Sequence, residues 1–164
     1  MIQKNEFKVK GRYKLQHFRA GKLINEFEYD NGVTDLGINT ILDVNFRDAA
    51  AKLTLWAIGM ISDPATLAAA DTMASHAGWT EFVSYAEATR PLWAPATAAA
   101  KAISNSVARD FNINGSGVLH GTFCVNEDTK GGVTGTLWAT AVFTAPITVN
   151  ASDLIRVTYT VSGT

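Results

Sequence analysis

The fold is decided within residues 117–160, where three segments read VLHGTFCV (118–125), GTLWATAVF (135–143) and LIRVTYTV (154–161). In the last segment polar and apolar residues alternate, which is typical of a strand with one buried face. Turn-forming residues precede the unit at 114–117 and its last strand at 150–153. Consecutive strands with short connections usually lie side by side. We therefore expect an antiparallel β-meander that forms one sheet of a β-sandwich, either jelly-roll or immunoglobulin-like.

The composition is that of a globular chain of 164 residues, 47% hydrophobic and 18% charged, which is enough for one domain. A net charge of −1 provides no general attraction to nucleic acid or to membranes. The single cysteine, Cys124, excludes an intramolecular disulfide. Residues 1–6 lack the apolar segment of a signal peptide, and no apolar run is long enough to cross a membrane. We expect a protein that folds in a cytoplasm.

Residues 6–18 and 22–29 predict an N-terminal β-hairpin, because both segments alternate between apolar and charged positions. A three-residue loop at 19–21 with Gly21 in the left-handed conformation would connect them. This register places three pairs opposite one another: Lys14 and Glu26, Arg12 and Glu28, and Tyr13 and Phe27. Within a single domain of residues 1–164, we expect residues 1–30 to form an arm.

A basic stripe on this hairpin is the candidate contact site for a partner, and it comprises Lys4, Lys8, Lys10, Arg12 and Lys14. Two interpretations compete. The stripe could bind an acidic surface or nucleic acid, or it could be neutralised by the glutamates of the neighbouring strand. The second interpretation is favoured, since it needs only the hairpin itself.

The middle of the chain predicts one helix, at about 34–46, with Thr34 or Asp35 as its N-cap. Four apolar residues form one stripe along it: Ile38, Ile41, Leu42 and Phe46. Residues 52–61 predict a strand covered on both faces. Asp63 and Pro64 favour a helical turn through residue 70, with a second short turn at 71–78. Further strand segments are expected at 103–107 and 109–113.

Reactive groups are sparse. The three histidines, His17, His76 and His120, have no metal-ligand spacing. Cys124 lies in an apolar strand and is expected to be a core thiol. Residues 130–136 resemble a phosphate loop only superficially, because they lead into a strand. Nothing places two of the acidic residues Asp71, Glu81 and Glu87 face to face. We therefore expect no catalytic, cofactor or metal site, and no enzyme.

Aromatic residues concentrate between residues 79 and 93, and two interpretations remain open for Trp79, Tyr85 and Trp93. They could form a sugar-stacking platform in a tail or fibre protein that binds a receptor. Alternatively, they are buried rings that close the end of a sandwich, and this is the favoured interpretation.

Seven segments carry a resemblance to a family of tailed-bacteriophage virion proteins: residues 31–39, 41–44, 55–61, 70–81, 89–93, 136–141 and 157–160. They include the runs NGVTDLGIN, LWAIGMI and ADTMASHAGWTE. These are packing and turn motifs, so the resemblance carries over no catalytic residue.

The resemblance implies a structural role in the virion, and capsid decoration (cement) proteins with β-sandwich folds fit it best. Such a protein binds the outer surface of the head shell, so its expected partners are the major capsid protein and copies of itself. A closed homo-oligomer is the usual arrangement for small virion proteins. The alternative is a tail or fibre component with a receptor- or carbohydrate-binding role.

Overall fold

The computed structural model describes residues 8–47, 51–64 and 66–163. Within them nine strands form: β1 (Val9–Arg19), β2 (Lys22–Val33), β3 (Ala57–Ile61), β4 (Glu81–Phe82), β5 (Ala102–Ser104), β6 (Arg109–Asn112), β7 (Gly117–Val125), β8 (Leu137–Val149) and β9 (Leu154–Gly163). One α-helix, α1 (Asp35–Leu42), follows β2 and leads into a π-helical turn, Asp43–Arg47. The fold is mainly β with one short helix, as the sequence predicts.

The strands form one curled antiparallel sheet in the order β4-β3-β7-β8-β2-β1-β9-β5. β6 pairs with β9 on the edge that β9 also presents to β5. β2 connects the two halves of the sheet. It pairs with β1 over most of its length, and then Gly32 and Val33 pair with Thr140 and Ala139 of β8.

The three strands expected in residues 117–160 are present, but the meander prediction is wrong. β7 and β8 pair with each other, whereas β9 pairs along its whole length with β1, from Val9 opposite Gly163 to Phe18 opposite Leu154. The turn at 150–153, in which Ser152 has a positive φ of 75°, directs the chain away from β8. The alternation of β9 is confirmed, since Ile155, Val157 and Tyr159 are all fully buried.

The hairpin of β1 and β2 is confirmed, but the predicted register is wrong. The turn has two residues, Ala20 (φ 48°) and Gly21 (φ 74°), because Ala20 also adopts the left-handed conformation. A bulge at Ile24 then adds a further shift, so that Lys14 lies opposite Glu28 and Tyr13 opposite Tyr29. The whole register beyond the bulge is therefore displaced by two residues, which keeps each side chain on its predicted face.

The hairpin is not an appended arm. β1 is flanked by β2 and β9, and its side chains Tyr13 and Leu15 are fully buried in the core. The Tyr13 and Tyr159 rings stack with their centroids 4.1 Å apart. Removal of residues 1–30 would therefore take out β1 and most of β2, two central strands of the sheet.

The predicted helix forms with Thr34 as its N-cap, whose side chain accepts a hydrogen bond from the Gly37 amide at 3.0 Å. The helix rests on β8 at Gly37, where a side chain would collide with the carbonyl oxygen of Trp138. The helix therefore packs closely against the sheet at this point. The apolar stripe, however, is largely outside: Phe46 is 80% exposed, Leu42 47% and Ile38 36%.

The segment predicted as a strand at 52–61 forms one only from Ala57, and all five residues of β3 are buried. Both faces are covered as expected, because Ile58 and Met60 face the larger core and Ile61 a smaller one. The helical turn predicted from Asp63 through residue 70 is wrong for the described residues, since the side chain of Asp63 accepts a hydrogen bond from Thr80 instead. β5 (Ala102–Ser104) overlaps the segment predicted at 103–107 at two residues only, whereas β6 (Arg109–Asn112) matches the segment predicted at 109–113 to within one residue.

Two clusters of buried side chains form the core. The larger lies between the two halves of the sheet, where Tyr29 of β2 stacks on Phe143 of β8 with centroids 4.3 Å apart. The smaller surrounds Phe123 on the other face of β3 and β7 and includes Trp79. No helix in the described parts of the chain is both long and apolar enough to cross a membrane.

Candidate interaction surface

The predicted basic stripe is divided by its ion pairs. Arg12 Nε contacts Asp30 at 2.9 Å and its Nη1 contacts Glu28 at 3.3 Å, while Lys14 Nζ contacts Glu26 at 3.0 Å. The hydrogen bond to Asp30 and the charge of that carboxylate hold the pKa of Arg12 above its ordinary value. Hydrogen bonds from Gln16 and Lys14 lower the pKa of Glu26.

The other three members of the stripe lie at or before the start of β1. Lys8 and Lys10 are exposed at the start of β1, and Lys4 lies outside the described residues. The salt-bridged interpretation is therefore confirmed for Arg12 and Lys14. Contact of the stripe with a partner stays a prediction.

The aromatic block is interior. Trp79 is 3% exposed, Tyr85 0% and Trp93 8%. Trp79 packs against Phe123, Tyr85 against Phe111, and the Trp93 indole donates a hydrogen bond to the carbonyl of Tyr159 at 3.0 Å. Three rings buried at separate points of the core cannot present stacking faces to a sugar, so the platform built on these residues is wrong.

A buried carboxylate, Asp153, forms a cluster that the sequence did not indicate. Its oxygens accept hydrogen bonds from Arg19 (2.8 and 2.7 Å), from the Asn150 amide (2.8 Å) and lie 2.8 Å from Nε2 of buried His17. The Arg19 guanidinium and these other donors hold the pKa of Asp153 well below its usual range. The cluster ties the end of β1 to the turn before β9.

A second buried ion pair fixes the loop that was compared with a phosphate loop. Arg90 is fully buried and contacts Glu81 through two hydrogen bonds of 2.9 and 2.7 Å. The same guanidinium donates to the carbonyls of Glu127 and Gly132, and the Gly131 amide donates to Glu81. Every group in this cluster is occupied in holding residues 126–136 against β4.

The remaining candidate reactive groups are also committed to the fold. Cys124 is fully buried, and burial raises the pKa of its thiol. Glu87 binds Asn112, and Asp71 accepts hydrogen bonds from the Ala68 amide and the Trp79 indole. Within the described ranges, no three residues of the types His, Cys, Asp and Glu converge on a point that could hold a metal ion.

An outward-facing apolar surface is what sequence reasoning missed. It consists of the α1 face, defined as Ile38, Leu42 and Phe46, and of an adjoining groove of about 450 Å³. Apolar side chains line most of the groove: Ile41, Leu53, Trp56, Ile103, Trp138 and Val161. Ile41 connects the two parts, because it belongs to α1 and lines the groove. The apolar stripe itself was visible in the sequence, but nothing local indicated that it faces outward.

No known protein family matches the chain, and no curated protein shows significant similarity to it.

Proposed function

We propose that the protein is a structural component of a tailed-bacteriophage virion, and specifically a capsid decoration (cement) protein that binds the outer surface of the head shell. One observation carries the proposal: the α1 face and its groove form an apolar surface that the described part of the chain leaves uncovered, while the buried polar clusters act as internal struts. An exposed apolar patch of this kind is typical of a surface that contacts another protein.

The phage context comes from the sequence resemblance, and the physical properties are compatible with it. A cement protein needs a rigid body and an apolar surface that stays exposed when the chain folds. That surface becomes buried only when the protein binds the shell. Many copies on a lattice then convert weak individual contacts into strong attachment. The partners are accordingly the major capsid protein and copies of this chain, and the site of residence is the virion, assembled in the host cytoplasm.

The curled sheet also supports a finer proposal for the fold. Its two halves diverge beyond the β2–β8 pairing, and their apolar faces enclose one core, with the Trp138 indole of one half donating to the Tyr159 hydroxyl of the other at 2.8 Å. We propose that this arrangement is a β-sandwich whose two layers are connected through β2.

The proposal is tested by locating the chain in intact particles by cryo-electron microscopy. The expected result is density for this fold on the outer face of the head, with α1 against the shell. Density confined to the tail would contradict the decoration role and favour the tail-component alternative. Absence from purified particles would contradict a virion role altogether.

A further inference from the structure

Within the described parts of the chain, one edge of the sheet is unpaired over a long, regular stretch. Residues 25–31 of β2 pair with β1 on one side, and among the described residues no backbone group pairs with them on the other. Pairing with β8 begins only at Gly32 and Val33. The side chains of Asn25, Glu26, Glu28 and Asp30 along this stretch are exposed.

The backbone groups that point to this edge can be identified. Thr34 donates its amide to the Trp138 carbonyl at 3.0 Å, in the same register as the Gly32–Thr140 pair. Amides alternate sides along a strand, so the even-numbered residues of β2 direct their N–H and C=O groups away from β1. Glu26, Glu28 and Asp30 therefore present unpaired donors and acceptors at the open edge.

The strand that faces this edge, β8, is irregular by contrast. β8 contains Pro146. It also bulges there, because two steps along β7, from Leu119 to Gly121, lie opposite five steps along β8, from Ile147 to Val142. Prolines and bulges are devices that prevent an edge from accepting another strand. Residues 25–33 of β2 contain neither.

The side chains at the β2 edge determine what kind of strand fits. Glu26, Glu28 and Asp30 place three carboxylates on the outer face, with side chains 41%, 52% and 76% exposed. A second copy of β2 would set carboxylate against carboxylate in any register that keeps the faces aligned, which is unfavourable. A strand with basic residues is compatible with these carboxylates, as β1 shows. Its Arg12 and Lys14 bind them from the other side of β2.

We infer that the free edge of β2 binds an extended, basic segment of another polypeptide by strand addition, with Lys or Arg at alternate positions facing Glu26, Glu28 and Asp30. The intervening positions would be apolar, because they would cover Phe27, which is only partly buried. Main-chain hydrogen bonds supply affinity in this mode and alternate side chains supply specificity. The inference does not depend on the proposed role in the virion.

A synthetic peptide provides the first test. The purified protein is mixed with the capped peptide KVKVKVK or with its acidic counterpart EVEVEVE, and amide hydrogen exchange is followed by NMR. We expect the basic peptide to slow exchange at the amides of Glu26, Glu28 and Asp30 by about tenfold or more, since those amides gain partners. No slowing at these amides, or equal slowing by the acidic peptide, would overturn the inference.

Two substitutions at one position separate backbone pairing from charge. Glu28→Pro removes the backbone N–H that points to the open edge but leaves the β1–β2 hydrogen bonds in place. An edge strand tolerates proline at such a position. Glu28→Gln is the matched control, which removes only the charge. We expect Glu28→Pro to abolish binding of KVKVKVK and Glu28→Gln to weaken it. Equal binding by the two variants, with folding verified by circular dichroism, would contradict strand addition.

A charge reversal keeps the test decisive if Glu28→Pro does not fold. Glu28→Lys should weaken binding of KVKVKVK and strengthen binding of EVEVEVE, because one carboxylate facing the added strand becomes a cation. An unchanged preference would contradict the assigned edge.

Discussion

Two apolar regions of this chain end up in opposite environments. The rings between residues 79 and 93 are buried, with Trp79 only 3% exposed, whereas Phe46 beyond α1 is 80% exposed. The first region is fixed by side-chain contacts such as that of Trp79 with Phe123. The helix is instead positioned by Gly37 against β8, and within the described residues Ile38, Leu42 and Phe46 remain partly or largely exposed. The difference shows that an apolar pattern identifies a contact surface without identifying whether the partner is the chain's own sheet or another molecule.

Among the substitutions considered, we expect Trp79→Ala in the buried aromatic region to reduce stability the most. Trp79→Ala leaves a cavity in the smaller core beside Phe123, and we expect it to lower the free energy of unfolding by about 3–5 kcal/mol. Chemical denaturation followed by tyrosine and tryptophan fluorescence measures the change. A loss below about 1 kcal/mol would mean that this region is not held as the structure shows.

Breaking the ion pair in the same region should cost nearly as much. Arg90→Met leaves Glu81 as an unpaired buried charge, so we expect a loss of about 3 kcal/mol of unfolding free energy. The double variant Arg90→Met/Glu81→Leu should recover part of this loss, because the stranded charge is gone. Equal stability of the single and double variants in thermal denaturation would contradict that explanation.

The buried cluster around Asp153 predicts a dependence of stability on pH. The pKa of Asp153 is lowered in the folded state, so its stabilising effect is complete above the unfolded pKa of about 4 and is lost as the pH falls through the folded value. Asp153→Asn should remove about 2 kcal/mol at neutral pH and flatten the acid limb of the profile. The free energy of unfolding in urea is measured between about pH 2 and 7, which includes the range in which carboxylates titrate. An acid limb that is unchanged in the variant would contradict the role of Asp153.

Sequence reasoning succeeded where the signal is local. The alternation of β9, the capping of α1 by Thr34 and the burial of Cys124 all follow from neighbouring residues, and the structure confirms them. The pairing of β9 with β1 was not predicted. No local pattern indicates a contact such as that between His17 and Asp153, which are 136 positions apart in the sequence.

The prediction of the hairpin register was wrong for a local reason that has no clear signature in the sequence. Ala20 takes a positive φ that alanine seldom adopts, and Ile24 forms a bulge, so the loop length and the pairing both differ from the simplest pattern. The outward orientation of Phe46 could not be predicted either. A helical stripe has the same spacing whether it faces a core or a partner.

The smallest expected effect on stability lies at the exposed side of the comparison. Phe46→Ser should change the free energy of unfolding by no more than about 0.5 kcal/mol, because the Phe46 side chain is mostly in solvent already, and Leu42→Ser by about 1 kcal/mol, because Leu42 is about half buried. Thermal denaturation of the variants measures this. A destabilisation comparable to that of Trp79→Ala would show that the α1 face belongs to the core.

The central claim is that the α1 face attaches the protein to a larger assembly. Phage heads isolated without this protein, mixed with wild-type protein, Phe46→Ser or the control Val118→Ser, test it most directly by cosedimentation. Val118 is also partly exposed (37%), but it lies on β7 opposite Thr148, ten residues along β8 from Trp138. We expect wild type and Val118→Ser to bind the heads and Phe46→Ser to remain in solution with an unchanged melting temperature. Equal binding by all three proteins, or by none, would contradict it.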